Sequence, residues 1–444
     1  MKKRILYWLQ NDLRIDDNAI LTSLQDQHCE LDIVFVIEPR WFKASNYQQK
    51  PYGEHKFRFL IQSLHALEHA LFARGQTLHV IEGEPITVLK QRIEQQAIEQ
   101  VFYSQQIGLY EQRQLSTLQT LLPKVTFLGI LQDTLLQEHE LPCALAELPT
   151  SFTPFRKQIE AQHIAINTSL VSSERLPPPI TLCAQKPLAQ WLETDTCDAL
   201  LQGGLYAATE HCKQYFSSRS ASSYKLTRNA LDGFATTTKF SPWLAFGCIS
   251  ARQIYQAVEV YEQQVGSNES TYWIKFELLW REFFKWHALQ VKQRLFSFKG
   301  QRKTKPLTTF IANRFMQWCH GNTPYPLVNA IMHELNTTGY IANRSRQIAA
   351  SCLVNELQVD WRYGAAYFEQ QLIDYDVAVN WGNWQYIAGV GADPRGGRHF
   401  NIAKQTAQFD PEHRYVKKWA GNTQCPPHFD DVDAADWPTN EPSH

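Results

Sequence analysis

Met1-Lys-Lys-Arg-Ile5-Leu-Tyr-Trp-Leu9-Gln10-Asn-Asp-Leu-Arg14 opens the chain with three basic or sulfur-bearing side-chain types and then an apolar run. The run stops at Gln10, too short for a signal-peptide core, so it reads as a first β-strand. Four more apolar runs follow, at Ile33–Ile37, Leu78–Ile81, Val101–Tyr103 and Val125–Ile130. Helix-like patterns near 18–27, 55–74, 85–98 and 110–122 separate them. Strands alternating with helices build βαβ units and a parallel, doubly wound sheet. Ligands on such a sheet lie beyond the carboxyl ends of its strands. Asn11-Asp12-Leu13-Arg14 stands where a G-x-G-x-x-G would follow the first strand, so a nicotinamide dinucleotide is not expected there.

Beyond residue 131 the alternation is lost. Leu176-Pro-Pro-Pro-Ile180 and Gly203-Gly204 mark a long connector over 132–205, within which Phe152-Thr-Pro-Phe-Arg-Lys157 is expected to pack on one of the domains. From 206 to 420 the pattern is helical: Ser250 is expected to cap a helix through Val260, and Ser270 another to about Gln290. Further helices are expected at Asn329–Leu335, Asn343–Leu357 and Tyr363–Leu372. The Pro- and Asp-rich residues 421–444 read as a flexible tail. The expected architecture is therefore an α/β domain over 1–131, a connector, and an all-α domain.

Length agrees with that division, since 444 residues exceed what one core usually serves. A net charge of −1 announces no nucleic-acid partner globally. Locally, nine Lys/Arg against two Glu lie between Lys275 and Lys305, interleaved with Trp and Phe, a mixture suited to a single strand or simply to a solvated helix face. Nine cysteines without C-x-x-C or metal-type spacing suit reduced thiols, and no metal is expected. No run approaches membrane-spanning length, so a cytoplasmic protein is expected.

Five constellations of polar and aromatic residues carry the chemistry. Over 374–391, Asp374, Asp376, Asn380, Trp381, Trp384 and Tyr386 crowd together, and helical spacing puts Asp376, Asn380 and Trp384 on one face, which suits a planar hydrogen-bonding heterocycle. An aromatic-rich core segment with capping aspartates is the bland alternative. Glu277, Trp280, Arg281 and Phe284 share a second face, which would clamp a flat polar ligand or merely hold a Glu–Arg i,i+4 pair. Asn343, Arg346 and Gln347 share a third, from which Arg346 would neutralise Asp374 or Asp376. Thr236-Thr237-Thr238-Lys239-Phe-Ser241-Pro242 offers hydroxyls and a cation at a helix start, fit for phosphate or for capping alone. The loop Asp393-Pro-Arg395-Gly-Gly-Arg398-His399 would reach a phosphate backbone or form an exposed turn.

Taken together and in this order, these motifs resemble the photolyase/cryptochrome flavoprotein family. The likeness covers about residues 1–420. Asn343-Arg-Ser-Arg346-Gln347, Asn380-Trp-Gly-Asn-Trp384 and Gly389-Val-Gly-Ala-Asp393-Pro-Arg395 look like its cryptochrome DASH branch. The resemblance implies a folded FAD whose phosphates meet Tyr224, Thr237, Thr238 and Ser241 with Lys239 nearby. It implies Arg346 paired with Asp374 beside the isoalloxazine, Asp376 at the ring's polar edge and Asn380 facing N5, with Arg281 and Asn343 on the cofactor side. Glu277, Trp280, Gln347 and Tyr386 match positions that line the pocket for a flipped-out pyrimidine dimer, with Arg395 and Arg398 toward the DNA backbone. Glu111 falls where the family places an acid contacting an antenna pigment, methenyltetrahydrofolate in most such proteins, although Gln10 replaces the usual Arg.

Trp384 and Trp361 match the inner members of the family's electron-hopping chain, but the outer position holds Thr308. Pro324 and Asn329 depart from the usual Gly and Asp. The implied activity is FAD-dependent, blue-light repair of cyclobutane pyrimidine dimers, preferentially in single-stranded DNA, by a monomeric lyase of the deoxyribodipyrimidine photo-lyase type. A blue-light receptor or DNA-binding regulator without repair, and a flavin-free helical nucleic-acid binder, are the rivals.

Overall fold

The computed structural model describes residues 2–25, 27–45, 47–168, 175–180, 200–393 and 396–422. Five strands, β1 (Lys3–Leu9), β2 (Cys29–Ile37), β3 (Leu78–Glu82), β4 (Gln100–Ser104) and β5 (Thr126–Ile130), form a parallel sheet in the order β3-β2-β1-β4-β5. Every expected strand is present. Helices α1 (Ala19–Leu24), α2 (Glu54–Phe72), α3 (Pro85–Gln95) and α4 (Leu109–Leu121) occupy the expected stretches between and beside them. Ile5, Tyr7 and Leu9 of β1 enter one core, and Leu6 and Trp8 the other. Burial on both faces explains why β1 reads as a continuous apolar run rather than an alternating one. Strand order reverses between β1 and β4, which opens a crevice beyond their carboxyl ends.

The turn after β1 is a structural knot. Asp12 accepts hydrogen bonds from Tyr7 Oη, from Ser104 Oγ (2.5 Å) and from Gln132 Nε2 (3.0 Å). Arg14 donates to the carbonyls of Asp17, Gln132 and Gly247, which ties the sheet to the helical half. Arg252, from that half, grips Asp17 through two bonds of 2.9 and 3.1 Å.

The connector carries α5 (Phe152–Ala161), so the Phe152–Lys157 segment is a helix. The rest of the helical half comprises α6 (Leu205–Ser217), α7 (Tyr224–Thr227), α8 (Ser241–Ala245), α9 (Ala251–Val265), α10 (Glu269–Val291), α11 (Ala312–His320), α12 (Pro326–Thr338), α13 (Asn343–Ser351), α14 (Trp361–Gln371), α15 (Val377–Ile387), α16 (Ile402–Phe409) and α17 (Arg414–Lys418). The 23-residue α10 is its spine, packed against α5, α7, α9 and α15. Among the described residues no helix is long and apolar enough to cross a membrane.

Ser250 caps α9 with a reciprocal Gln253 bond, as expected. α10 is capped two residues earlier than expected: Asn268 Oδ1 accepts from the N–H groups of Ser270 and Thr271, because Asn projects its acceptor as well as Ser and stands outside the helix. The helix expected over Asn343–Leu357 ends at Ser351 and gives way to a π-turn over Cys352–Glu356. α12 is longer than expected, starting at Pro326 and stopping at left-handed Gly339 (φ 70°). Asn329 has a structural task within it. Its Oδ1 accepts from Thr323 N and Oγ1, while its Nδ2 donates to Thr323 O and Gly421 O. A carboxylate could not donate the last two bonds. The expected tail lies almost wholly outside the described residues.

Two glycines set how closely the central helices approach. A Cβ on Gly382 of α15 would stand 2.4 Å from the Phe284 ring of α10, and one on Gly364 of α14 would stand 2.2 Å from the Trp384 indole. Trp384 thus packs its ring directly on the turn of α14 that begins at Trp361.

Candidate functional site

A cavity of about 410 Å³ opens among α7, α8, α10, α13 and α15. Its wall includes Tyr224, Thr237, Thr238, Lys239, Ser241, Glu277, Trp280, Arg281, Asn343, Arg346, Gln347, Asp374, Asp376, Asn380, Trp384 and Tyr386. The three sequence faces around 277, 343 and 380 therefore converge from separate helices on one space. The i, i+3, i+4 spacing selects the inward face of each helix, and the packing of α15 on α10 and α14 brings those faces together.

One end is rich in hydroxyls. Thr237, Thr238 and Ser241 surround Lys239, whose Nζ donates to Gly233 O and Thr237 Oγ1, each at 3.2 Å. Burial pulls this ammonium down to about 8, with Glu334 and Asp232 opposing the shift. An anion such as a phosphate, placed beside Lys239, would offset that desolvation. Lys239 also holds a left-handed backbone (φ 51°), unusual for a long side chain.

The other end is organised by ion pairs. Arg346 reaches Asp374 through two bonds of 3.0 and 2.7 Å, the bidentate arrangement that fixes both planes. Asp376 caps α15 through Val379 N and lies 2.5 Å from Lys285 Nζ and 3.7 Å from Arg281. Burial acts to raise its carboxyl, but Lys285 and Arg281 together outweigh burial and hold it below the usual carboxylate range. Asp133, arriving from the connector, binds the same two cations. Asn380 Nδ2 donates to Ala365 O at 3.0 Å, so the amide presents its oxygen and remaining N–H elsewhere. A donor set of hydroxyls and a cation at one end, with an oriented amide and paired carboxylates at the other, fits a dinucleotide carrying a flat polar ring.

The sequence reading pairs Glu277 with Arg281 in its bland form, and the structure replaces both partners. Glu277 binds Arg228, whose guanidinium also lies 4.6 Å above the Trp273 ring. Burial pushes the Glu277 carboxyl up, against the pull of Arg228. Arg281 turns to Asp133, which also takes Lys285, so two of the nine cations in the basic stretch lie largely off the surface. Phe152 of α5 stacks on the Trp280 indole at 3.8 Å and 13°, Phe284 stacks on it at 5.6 Å and 29°, and Trp280 remains half-buried. Tyr386 stands edge-on to Trp280 at 6.0 Å and accepts a hydrogen bond from Arg398, itself held by Asp393. Arg395 lies outside the described residues.

Two sequence candidates are elsewhere. Trp361 is fully buried behind the cavity, donating to Phe298 O at 3.0 Å and meeting Trp381 edge-on at 5.7 Å. Glu111 lines a second cavity, of about 350 Å³, beyond the carboxyl ends of β1, β2 and β4. Its far wall comes from the helical half, through Phe246, Glu369, Tyr375 and Trp381. Lys56 lies between the rings of Tyr52 (4.1 Å) and Tyr375 (4.2 Å), donating to Pro51 O and Glu369 O. Burial lowers Lys56 to about 8 and raises Glu111.

Arg228, Lys285, Asp133 and Phe152 were not singled out from the sequence as site residues. Arg228 and Lys285 carried a usable signal, four residues after Tyr224 and Arg281 on the same helical faces. Asp133 carried none, and Phe152 only the expectation that its segment packs on a domain, because tertiary packing alone brings the connector to α10.

Comparison with known proteins agrees with this geometry. The family described as "DNA photolyase" matches residues 5–179, and "FAD binding domain of DNA photolyase" matches residues 273–433. A solved Synechocystis cryptochrome superposes with a TM-score of 0.88 at 38% identity, covering 94% of this chain and 89% of that one. The parallel sheet, the helical half and its cavity are thus those of a flavoprotein in the photolyase/cryptochrome family, to which this chain belongs. Within the family it falls in the cryptochrome DASH branch. It is 49% identical to Cryptochrome DASH of Idiomarina loihiensis over 98% of this chain and 96% of that protein. It is 47% identical to Cryptochrome DASH of Vibrio parahaemolyticus over 99% and 98%.

Proposed function

We propose that this protein binds FAD in the 410 Å³ cavity and uses blue light to split cyclobutane pyrimidine dimers, taken preferentially from single-stranded DNA. The observation that carries the reading is the meeting in one cavity of a dinucleotide-type donor set with Glu277, Trp280, Gln347 and Tyr386. When bound and reduced, FAD supplies one-electron donation on excitation, chemistry that no side chain offers. Tyr224, Thr237, Thr238 and Ser241 hold its phosphates beside Lys239; Arg281, Asn343, Arg346, Asp374, Asp376 and Asn380 hold and orient its ring end. Trp280 packs the exposed part of its indole against the dimer, and Glu277 hydrogen-bonds the bases after parting from Arg228. Gln347 and Tyr386 close the pocket, while Arg398 and Arg395 meet the DNA backbone. Flipping a dimer out costs a few kcal/mol and is least costly from a single strand, which supports that preference.

On this reading the second cavity holds an antenna pigment of the methenyltetrahydrofolate type, with the buried Glu111 carboxyl toward the pterin. Residues 1–131 serve the antenna, 132–205 connect, 206–420 serve FAD and DNA, and 421–444 form an appended tail.

Purified protein, chemically reduced and illuminated with blue light, is expected to restore dimer-containing single-stranded oligonucleotides to monomers. Intact dimers after illumination of FAD-loaded protein would sink the repair reading. A light receptor or DNA-binding regulator is the second reading, favoured by the Arg228–Glu277 pair that occupies the substrate-side acid. Light-dependent partner binding that survives Trp280→Ala and Glu277→Gln, without repair, would select it.

A further inference from the structure

Resting on the reading of the cavity as the FAD site, we propose that His211 is a positioning residue for the cofactor's phosphates. From behind the cavity it holds the Thr238 carbonyl and so aims the Lys239 N–H at them. His211 lies on α6, whose inward face is Ala208, His211 and Tyr215, and it is not part of the cavity wall. Its Nε2 meets Thr238 O at 2.8 Å. A carbonyl only accepts, so the ring carries a proton on Nε2 and donates it there.

The surroundings of the ring are aromatic. It stacks on Trp243 at 4.8 Å and 30°, and Phe234 and Phe240 meet it edge-on at 5.7 and 5.3 Å. Burial lowers the imidazole, with the Thr238 carbonyl opposing that shift and Lys239 adding to it. Such a box would hold a phenyl ring as well as an imidazole. A buried polar ring is costly unless its groups are paired, so the bond to Thr238 is what the histidine adds.

That bond fixes a direction. A trans peptide is planar, and its C=O and N–H point opposite ways. With Thr238 O drawn back to α6, the Lys239 N–H faces the other side, where Thr238, Lys239 and Ser241 line the cavity. Lys239 is left-handed (φ 51°) and Phe240 right-handed (φ −73°, ψ −16°). Adjacent residues of opposite hand turn consecutive N–H groups to one side, which makes an anion-binding nest. Among the described residues nothing accepts from the N–H of Lys239 or Phe240. The carbonyl two residues before Thr238 is held as well, since Thr227 Oγ1 of α7 donates to Thr236 O at 2.8 Å. The turn is thus pinned from two helices. A phosphate arriving there finds its donors already aimed, and no ordering of the turn is charged against binding.

The test is FAD release from purified holoprotein diluted into flavin-free buffer, followed by the rise of flavin fluorescence. His211→Phe keeps a ring in the aromatic box and removes the donor. It should release FAD about tenfold faster, the scale of one hydrogen bond. His211→Gln loses the ring but carries an N–H at the reach of Nε2. It should release FAD close to the wild-type rate while melting at a lower temperature, because a void replaces the ring. Retention then follows the donor and stability follows the ring, a separation that a packing role would not produce. The phosphorus magnetic resonance of bound FAD should shift in His211→Phe and stay in place in His211→Gln. Circular dichroism verifies folding, and His211→Leu serves as the donor-free variant should His211→Phe not fold. Wild-type release from the donor-free variant, or release that ranks with melting temperature across the variants, overturns the proposal and leaves the FAD site standing. Purified wild type without FAD overturns the site reading, and this proposal with it.

Discussion

Lys239, picked out by its hydroxyl-rich neighbours, also carries a backbone strain that no sequence pattern reveals. Its left-handed backbone carries a penalty of roughly 1–2 kcal/mol for a side chain with a Cβ. In exchange its buried ammonium stands among the hydroxyls of the cavity. Lys239→Gly removes the strain but adds unfolded-chain entropy, so stability without FAD should stay within about 1 kcal/mol of wild type. FAD retention through gel filtration should nevertheless fall. Unchanged retention would remove Lys239 from the cofactor site.

Glu334 makes a second residue-scale prediction. It accepts from Tyr415 Oη, and burial pushes its carboxyl up from 4.5 to about 7. The folded state therefore binds this proton more tightly than the unfolded chain, and stability declines as pH rises from about 4.5 to about 7, then levels off. The full effect is roughly 3 kcal/mol at 1.36 kcal/mol per unit. Glu334→Gln, whose carbonyl still accepts from Tyr415, should flatten the stability–pH profile in that window, measured by urea unfolding at pH steps.

At the scale of elements, α15 is a wedge for which the glycines at its contacts matter as much as its polar groups. Gly364→Ala on the neighbouring α14 would place a methyl 2.2 Å from Trp384, so the indole must shift. Overpacking of this kind costs about 1–3 kcal/mol. The melting temperature should fall, and the shift of Trp384 should show as altered tryptophan fluorescence. A variant with wild-type stability and fluorescence would mean the packing yields freely. The inward faces of α10, α13 and α15 were legible from the sequence because helical period is a local property: Glu277, Trp280 and Arg281 had to share a side. Their partners were not legible. Glu277 chose Arg228 and Arg281 chose Asp133, both over the i,i+4 pairing, because burial rewards full pairing of each charge rather than sequence proximity.

At the scale of the molecule, a buried acid of the spine joins Asp133 in fastening the connector to it. Glu282 is fully buried and accepts from Leu135 N (2.7 Å), Leu136 N (3.1 Å) and Trp286 Nε1 (2.6 Å). Glu282→Gln turns an N–H₂ toward those donors and should cost on the order of 2 kcal/mol, the scale of a buried group left unsatisfied. It should also loosen Asp133 from Arg281, seen as weaker FAD retention; stability equal to wild type would show the fastening is elsewhere. What the sequence by itself determined was the list of parts: five parallel strands, a helical half, and three polar-aromatic faces with their residues. Each rests on interactions between residues a few positions apart, which periodicity records. Only the tertiary structure decided which faces share a cavity, that Trp361 lies behind it, and that Glu111 belongs to a second space closed by the helical half. Those outcomes depend on contacts between segments more than a hundred residues apart, as between Asp133 and Arg281, and such contacts leave no local pattern.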